Sequence, residues 1–156
     1  MRIFSKIISS FTREESYIEN ATKFVNSSGF TSNTRYFIWV DLKKFKVNIF
    51  TGSKNNWKIL HSYLCTIGKK STPTPKGTFL VGIKGLYFGV KKGYKCWYYT
   101  QFKGNYLFHS ILYNLDGSVR DGRLGMALSV GCVRLEKVNA KWIYDNIPEG
   151  TKVYIN

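Results

Sequence analysis

Short hydrophobic runs separated by polar and glycine-rich stretches fill the chain from Tyr36 to its end. Runs of about 4–8 residues rich in Val, Ile, Tyr, Phe and Trp are typical of β-strands. We therefore predict strands over 36–42, 45–51, 57–67, 78–83, 86–90, 94–102, 105–112 and 151–155. The first two are predicted to form a hairpin with Lys43 and Lys44 at its turn.

One segment in this region has a helical period instead, over about 136–146. Leu135, Val138, Trp142 and Ile143 recur at i, i+3, i+7 and i+8, which predicts one hydrophobic helix face. Two loops are also predicted: GKKSTPTPKG, which Pro73 and Pro75 stiffen by fixing φ, and a loop from about Asn114 to Gly125 with two Asp-Gly turns.

The first residues follow a different pattern. TREESYIEN is compatible with a helix and NSSGFTSNT with a linker, whereas MRIFSKIISS has a short apolar stretch that Lys6 interrupts. We predict an N-terminal extension or linker over 1–35 and one domain over 36–156. An export signal is not evident in this chain. The predicted fold class is mainly β, a β-rich α+β domain.

Composition narrows the class of protein. Of 156 residues, 44% are hydrophobic and 17% aromatic, which excludes a disordered chain, and no run approaches the ~20 apolar residues of a membrane span. The net charge is +15, and the span from Leu42 to Leu115 holds 13 lysines and no carboxylate. Such a surface attracts polyanions. Charge alone leaves nucleic acid, anionic lipid headgroups and anionic cell-wall polymers open, although no nucleic-acid motif is present.

Three cysteines without a CxxC spacing or a Cys/His ligand spacing argue against a structural zinc site. Cys65 and Cys96 fit buried free thiols, with a disulfide between them as the alternative. Cys132 is the best candidate nucleophile because Gly131 permits a sharp turn before it and Arg134 follows it closely.

A cysteine nucleophile needs a base, and the chain has two histidines. His61 lies within a predicted strand. His109 ends a predicted strand 23 residues before Cys132, and the intervening loop could fold back to bring the two together. His109 is therefore the better candidate, although a lone histidine is more often structural.

The chain resembles a known family in these segments. HS at 109–110 and SVGCVRL at 129–135 resemble the active-site signature of the L,D-transpeptidase catalytic domain, also called the YkuD domain. IGKKSTPTPKGTF resembles the family's PTPxGxF segment, and the predicted helix with GTKVYI resembles the end of the domain. The resemblance covers about 36–156. One departure is Val130, where many members have histidine.

The resemblance implies a curled sheet or β-sandwich with one helix after the active-site loop. It implies that Cys132 attacks the third residue of a peptidoglycan stem tetrapeptide, releases D-alanine and forms a thioester, which an acceptor amine resolves into a 3→3 cross-link. His109 would be the base and Ser110 would orient it through its carbonyl group. Backbone amides around Gly131 and Cys132 would form the oxyanion hole. Such an enzyme requires no metal or organic cofactor and acts in the cell envelope, outside the cytoplasm. We expect a monomer.

Further residues are assigned to substrate binding. Arg134 and Arg123 could bind stem-peptide carboxylates, with Arg120 as a weaker candidate, and Tyr113 and Asn114 could line the pocket. The alternative role for Arg134 is an ion pair with Glu136 or Asp145. The lysine-rich strands are either a solvated face or a surface that attracts anionic wall polymers.

Three other functions remain open from the residues. An L,D-carboxypeptidase or other cysteine peptidase on wall peptides would use the same Cys–His chemistry with water as the acceptor. A sortase-like enzyme fits less well, because the Ser-x-Gly-Cys-x-Arg pattern is foreign to it. A non-catalytic basic module for wall polymer or nucleic acid would give Cys132 no special reactivity.

Overall fold

The computed structural model describes residues 2–156. A long helix precedes a β-rich body that contains one more helix near its end. The elements are α1 (Arg2–Ser27), β1 (Tyr36–Asp41), β2 (Lys46–Ser53), β3 (Asn56–Gly68), β4 (Gly77–Leu80), β5 (Lys84–Phe88), a 3₁₀ turn (Val90–Lys92), β6 (Tyr94–Lys103), β7 (Tyr106–Ser110), β8 (Leu112–Asn114), β9 (Val119–Asp121), β10 (Ala127–Ser129), β11 (Val133–Leu135), α2 (Lys137–Asn146) and β12 (Lys152–Ile155).

The strands form one mixed sheet in the order β4-β12-β1-β2-β3-β11-β7-β6-β8-β9, with β10 beside β3 and β5 beside β6. Most neighbours are antiparallel. The exceptions are β12 on β1, β11 on β7 and β10 on β3. The prediction of a mainly β fold is confirmed. The short strands β9, β10 and β11 lie in segments where the sequence did not predict strands.

The main core lies on one face of the curled sheet. Alternate residues of the central strands point into it, and Phe102 and Phe108 of β6 and β7 come from the other half of the sheet. Helix α2 closes this core with Ala140 and Ile143. The predicted helix face was partly wrong: Val138 is 68% exposed. Leu135 is buried, but it belongs to β11 and not to α2. The predicted helical pattern had therefore included a residue of the preceding strand.

Helix α1 covers the opposite face of β1, β2 and β3. Ala21 and Val25 pack with Phe37, Phe50 and Trp57 in a second hydrophobic cluster. Strand β1 is therefore buried on both faces, which explains its uninterrupted apolar sequence. The helix extends on both sides of the predicted TREESYIEN segment. None of the helices described over residues 2–156 is long and apolar enough to span a membrane.

Candidate active site

The register between β7 and β11 places the candidate catalytic residues on one face of the sheet. Val133 pairs with Phe108, and Arg134 pairs with His109. Val133 and Phe108 point into the main core. Because side chains alternate along a strand, Cys132, Arg134 and His109 leave from the opposite face. Cys132 thus lies one residue before β11, the strand that pairs with the one carrying His109.

The Cys132 thiol lies in an open groove of about 530 Å³. The groove is lined by residues of the β5–β6 segment and of the β6–β7 turn: Ile83, Tyr87, Phe88, Lys92, Tyr99, Gln101, Gly104, Asn105 and Leu107. The Sγ atom of Cys132 lies 3.6 Å from the carbonyl oxygen of Asn105. The groove therefore gives a substrate access to the sulfur from solvent.

Burial raises the pKa of the Cys132 thiol. The backbone N–H of Leu107 and the positive charge of Arg134 lower that pKa, but their effect is smaller. Arg134 thus acts in the direction expected from the sequence without outweighing burial. The resting side chain is a thiol, so attack on a substrate requires that a base remove its proton.

The other two cysteines are buried free thiols. Burial raises the pKa of Cys96 to about 12, and it raises the pKa of Cys65 further. Cys65 belongs to the main core. Cys132 is consequently the accessible thiol among the three.

His109 is buried, and its Nδ1 atom lies 2.6 Å from the carbonyl oxygen of Ser110. A carbonyl can only accept, so Nδ1 carries the hydrogen and Nε2 keeps its lone pair. The ring of Phe88 packs edge-on against the imidazole at 5.0 Å between centroids. Burial lowers the pKa of His109 to about 4, so the ring is neutral and able to accept a proton at neutral pH.

The hydroxyl of Ser110 makes two hydrogen bonds to the backbone. It accepts the backbone N–H of Trp97 at 2.7 Å and donates to the carbonyl of Ile111 at 2.7 Å. His61, by contrast, packs against Tyr63 and against Trp142 of α2. Its environment is aromatic packing, as its place within a strand suggested.

The loop before Cys132 is held by a hydrogen-bond network that the sequence did not reveal. Ser129 Oγ accepts the N–H of Gly131 at 3.1 Å and donates to the carbonyl of Cys132 at 2.6 Å. The buried Thr74 hydroxyl donates to the carbonyl of Gly131 and accepts the N–H of Gly68, both at 2.9 Å. The PTP segment therefore holds the loop before Cys132 through the buried hydroxyl of Thr74.

Gly131 is required by both conformation and space. Its φ is +118°, and a Cβ atom there would lie 2.5 Å from the Tyr106 ring. Its N–H donates to Ser129 Oγ at 3.1 Å. The oxyanion hole of backbone amides around Gly131 and Cys132 stays a prediction.

Arg134 is paired with a carboxylate that the sequence had not singled out. Its Nη1 atom lies 3.5 Å from Asp121 Oδ2. The ion pair is therefore with Asp121, and the expected partners Glu136 and Asp145 were wrong. Asp121 also accepts two hydrogen bonds from Arg123, at 3.0 Å each. These bonds, ahead of the charge of Arg134, lower the pKa of Asp121 to about 2. The Asp121-Gly122 turn was the only sequence signal for this ion pair, and aspartate is common in turns for other reasons.

One donor of Arg134 is left over. Its buried Nε atom has no hydrogen-bond partner among residues 2–156. A buried guanidinium nitrogen without a partner is uncommon, because leaving it unsatisfied is unfavourable.

The remaining candidate residues have structural contacts. Asn114 bonds Ser118 through its side chain and its backbone N–H, and so builds the β8–β9 turn. Tyr113 lies beneath the Lys137 ammonium, at 5.4 Å from the ring centroid. Arg120 donates to the carbonyl of Gly93 at 3.1 Å. None of these three lines the groove around Cys132 in the described part of the chain.

Within residues 2–156, no three His, Cys, Asp or Glu side chains come together as a metal site.

Comparisons with known proteins identify the family of this chain. The family model for the L,D-transpeptidase catalytic domain (YkuD) matches residues 35–155 of the sequence. The chain is 36% identical over 131 residues to a Bacillus subtilis (strain 168) protein with the name "Putative L,D-transpeptidase YciB"; the match covers 76% of this chain and 66% of YciB.

Solved structures show the same fold. A fused Zn-dependent amidase/peptidase/peptidoglycan-binding domain-containing protein from Clostridium acetobutylicum is 45% identical, with a TM-score of 0.78 over 91% of this chain and 61% of that one. An L,D-transpeptidase from Mycobacterium smegmatis has the fold at 20% identity and a TM-score of 0.63, over 78% of this chain and 58% of its own. The chain thus spans about two thirds or less of the length of these relatives. On the match over residues 35–155, the chain belongs to the L,D-transpeptidase catalytic domain (YkuD) family.

Proposed function

We propose that this chain is a cysteine-dependent L,D-transpeptidase that forms 3→3 cross-links between peptidoglycan stem peptides in the cell envelope. The observation that carries the proposal is the placement of an accessible thiol relative to a buried neutral imidazole. Cys132 comes just before β11, which pairs with the strand that carries His109, and both side chains leave from one face of the sheet.

The first half-reaction begins with a neutral pair, because burial disfavours both the thiolate and the imidazolium. As Cys132 Sγ attacks the carbonyl carbon of the third stem residue, its proton moves to His109 Nε2. The tetrahedral intermediate then collapses. The bond to the terminal D-alanine breaks, the imidazolium protonates the leaving amine, and a thioester remains on Cys132.

The second half-reaction reverses these roles. The side-chain amine of a neighbouring stem peptide attacks the thioester, and His109 takes a proton from that amine. The amide bond forms, the carbon–sulfur bond breaks, and the proton returns to Cys132. Ser110 keeps Nδ1 protonated throughout, so that Nε2 alone exchanges protons.

Among the proposed substrate-binding residues, Arg134 is the one that pairs with His109 in the strand register. Its Nε donor is unused, and a carboxylate of the donor stem would satisfy it. Arg123 is exposed and pairs with Asp121, the carboxylate that also pairs with Arg134. We therefore assign Arg123 to holding Asp121 in place ahead of binding substrate. Tyr113 and Asn114 remain weaker candidates. Anionic wall polymers are a further proposed partner, through the lysine-rich surface.

Mass spectrometry of the intact protein, after incubation with a stem tetrapeptide or a carbapenem, tests the proposal. We expect one acyl adduct per chain, mapped to the peptide that contains Cys132, and no adduct in Cys132→Ala. An adduct on Cys65 or Cys96, or none with any acyl donor, would contradict it.

The same reaction mixture separates transfer from hydrolysis. A transpeptidase yields a cross-linked dimer when an acceptor amine is present, whereas an L,D-carboxypeptidase yields only tripeptide and D-alanine. A non-catalytic basic module yields neither product.

A further inference from the structure

The N-terminal half of α1 extends beyond the sheet that its C-terminal half covers. Hydrophobic packing against the body begins at Tyr17, and residues 3–16 are all exposed. At about 1.5 Å per residue, this exposed part is roughly 20 Å long.

This exposed part carries a stripe of large apolar side chains. Ile3, Phe4, Ile7, Ile8 and Phe11 recur at i, i+1, i+4, i+5 and i+8, which is one face of a helix. Each of them is between 59% and 75% exposed. Isolated exposed apolar residues are ordinary, but five on one continuous helix face are typical of an interaction surface.

Positive charge borders the stripe. Lys6 lies beside Ile7 and Phe11 along a shallow groove. On its other side, Lys6 and Arg13 line a second groove together with Lys44 and Lys46 of the β1–β2 hairpin. Only Lys46 of these four is paired, with Glu14 at 3.2 Å, among the residues that the structure describes. The sequence has no carboxylate before Glu14.

These two features together select the occupant. A second copy of this chain would bring like charges together, in a protein of net charge +15. A soluble anionic polymer would satisfy the cations but leave five apolar side chains in water. An anionic lipid surface satisfies both, because apolar side chains enter the acyl boundary while lysine and arginine reach the phosphates.

We propose that residues 3–13 of α1 form an interfacial helix that docks this chain on a bilayer of anionic phospholipid. The helix lies along the surface and does not cross it. Lys44 adds attraction from the β1–β2 hairpin. This docking is independent of the chemistry at Cys132.

Vesicle co-sedimentation of the full chain tests the docking, with phosphatidylglycerol vesicles against phosphatidylcholine vesicles. We expect binding to the anionic vesicles and at least about tenfold weaker binding to the neutral ones. The double variant Phe4→Ser/Phe11→Ser should weaken binding roughly tenfold or more. Lys6→Gln/Arg13→Gln should weaken it about fivefold per charge at low salt.

Matched controls use exposed positions elsewhere. Val138→Ser removes an exposed apolar side chain from α2, and Lys54→Gln/Lys58→Gln removes two charges from the β2–β3 hairpin. Both should bind nearly as wild type. All these positions are exposed, so unchanged circular dichroism is expected.

The proposal fails if wild type ignores phosphatidylglycerol vesicles. It also fails if Phe4→Ser/Phe11→Ser binds them as well as wild type, since attraction would then be purely electrostatic. A dimer in analytical ultracentrifugation that only this variant dissolves would assign the stripe to a second copy instead.

Discussion

Arg134 on β11 lies directly opposite His109 on β7, in the parallel register of the two strands. Both side chains leave from the face that also carries Cys132. The positive charge of Arg134 therefore acts on both proposed catalytic groups: it lowers the pKa of His109 and the pKa of Cys132, in each case behind the effect of burial. A residue assigned to substrate binding thus also tunes the acid–base pair.

Arg134→Gln should consequently shift the pH dependence of acylation upward. Loss of the positive charge raises the pKa of His109 from about 4 toward its ordinary value, so the acid limb of kcat/KM moves to higher pH. The measurement is kcat/KM for a tetrapeptide over a pH series. Arg123→Gln is the matched control, because Arg123 bonds the same Asp121 from an exposed position. An unshifted acid limb in Arg134→Gln would refute this coupling.

Replacing His109 by Ala should lower the acylation rate by roughly 10²–10⁴-fold, the usual effect of losing an acid–base group. His61→Ala should remain near wild type, because that ring packs on Tyr63 and Trp142. Stopped-flow acylation by a carbapenem gives both rates. Equal losses in the two variants would remove His109 from its proposed role.

The free energy of unfolding should fall as the pH is lowered from about 6.5 to about 4. His109 is buried with a depressed pKa, so the unfolded chain binds its proton more readily, and stability present above pH 6.5 is lost toward pH 4. The loss is about 3 kcal/mol at most.

Urea denaturation at pH 7 and pH 4.5 measures this dependence, and His109→Ala should flatten it. Asp121, with a pKa of about 2, titrates below this window and should not contribute to it. An unchanged slope in the variant would mean that His109 is not the buried titrating group.

Thr74→Val should lower both stability and the acylation rate. Valine keeps the shape but removes a buried hydroxyl that bonds Gly68 and Gly131, at a cost of roughly 1–3 kcal/mol. Thr74→Ser should restore most of the loss, and Thr78→Val, on an exposed face of β4, should have little effect. Thermal unfolding and acylation rates are measured together; full activity in Thr74→Val would show that the loop holds its shape without this support.

Salt should separate the lysine-rich surface from the chemistry. Attraction between exposed charges is screened by salt, whereas thioester formation in a groove is screened much less. Binding of Cys132→Ala to sacculi should fall steeply from low to near-molar salt. Turnover of a soluble tetrapeptide by wild type should change little. Salt-independent sacculus binding would leave the lysines as a solvated face.

Much of the fold could be predicted because its strands are local patterns. Two apolar runs between Tyr36 and Phe50, separated by Lys43 and Lys44, specify a hairpin. Strand β11 was different. It has three residues and is stabilised by pairing with β3 and β7, partners distant in sequence. A short segment carries no periodicity of its own, so only tertiary pairing defines it.

The candidate site could be proposed from its reactive residue types, but the residues that support it could not. Cys132 and His109 could be chosen because few residue types can act as nucleophile and base. Asp121, Ser129 and Thr74 could not, because aspartate, serine and threonine are common in turns and loops. Their roles depend on which backbone groups the fold brings within hydrogen-bond distance.

The family match begins at residue 35, yet the hydrophobic packing of the body extends back to Tyr17. The Asn26 side chain bonds both the N–H and the carbonyl of Trp57, so α1 also saturates backbone groups of β3. A chain trimmed to the matched residues would leave Phe37, Phe50 and Trp57 in water. We expect such a truncation to aggregate on expression, whereas one that begins shortly before Tyr17 should remain dispersed.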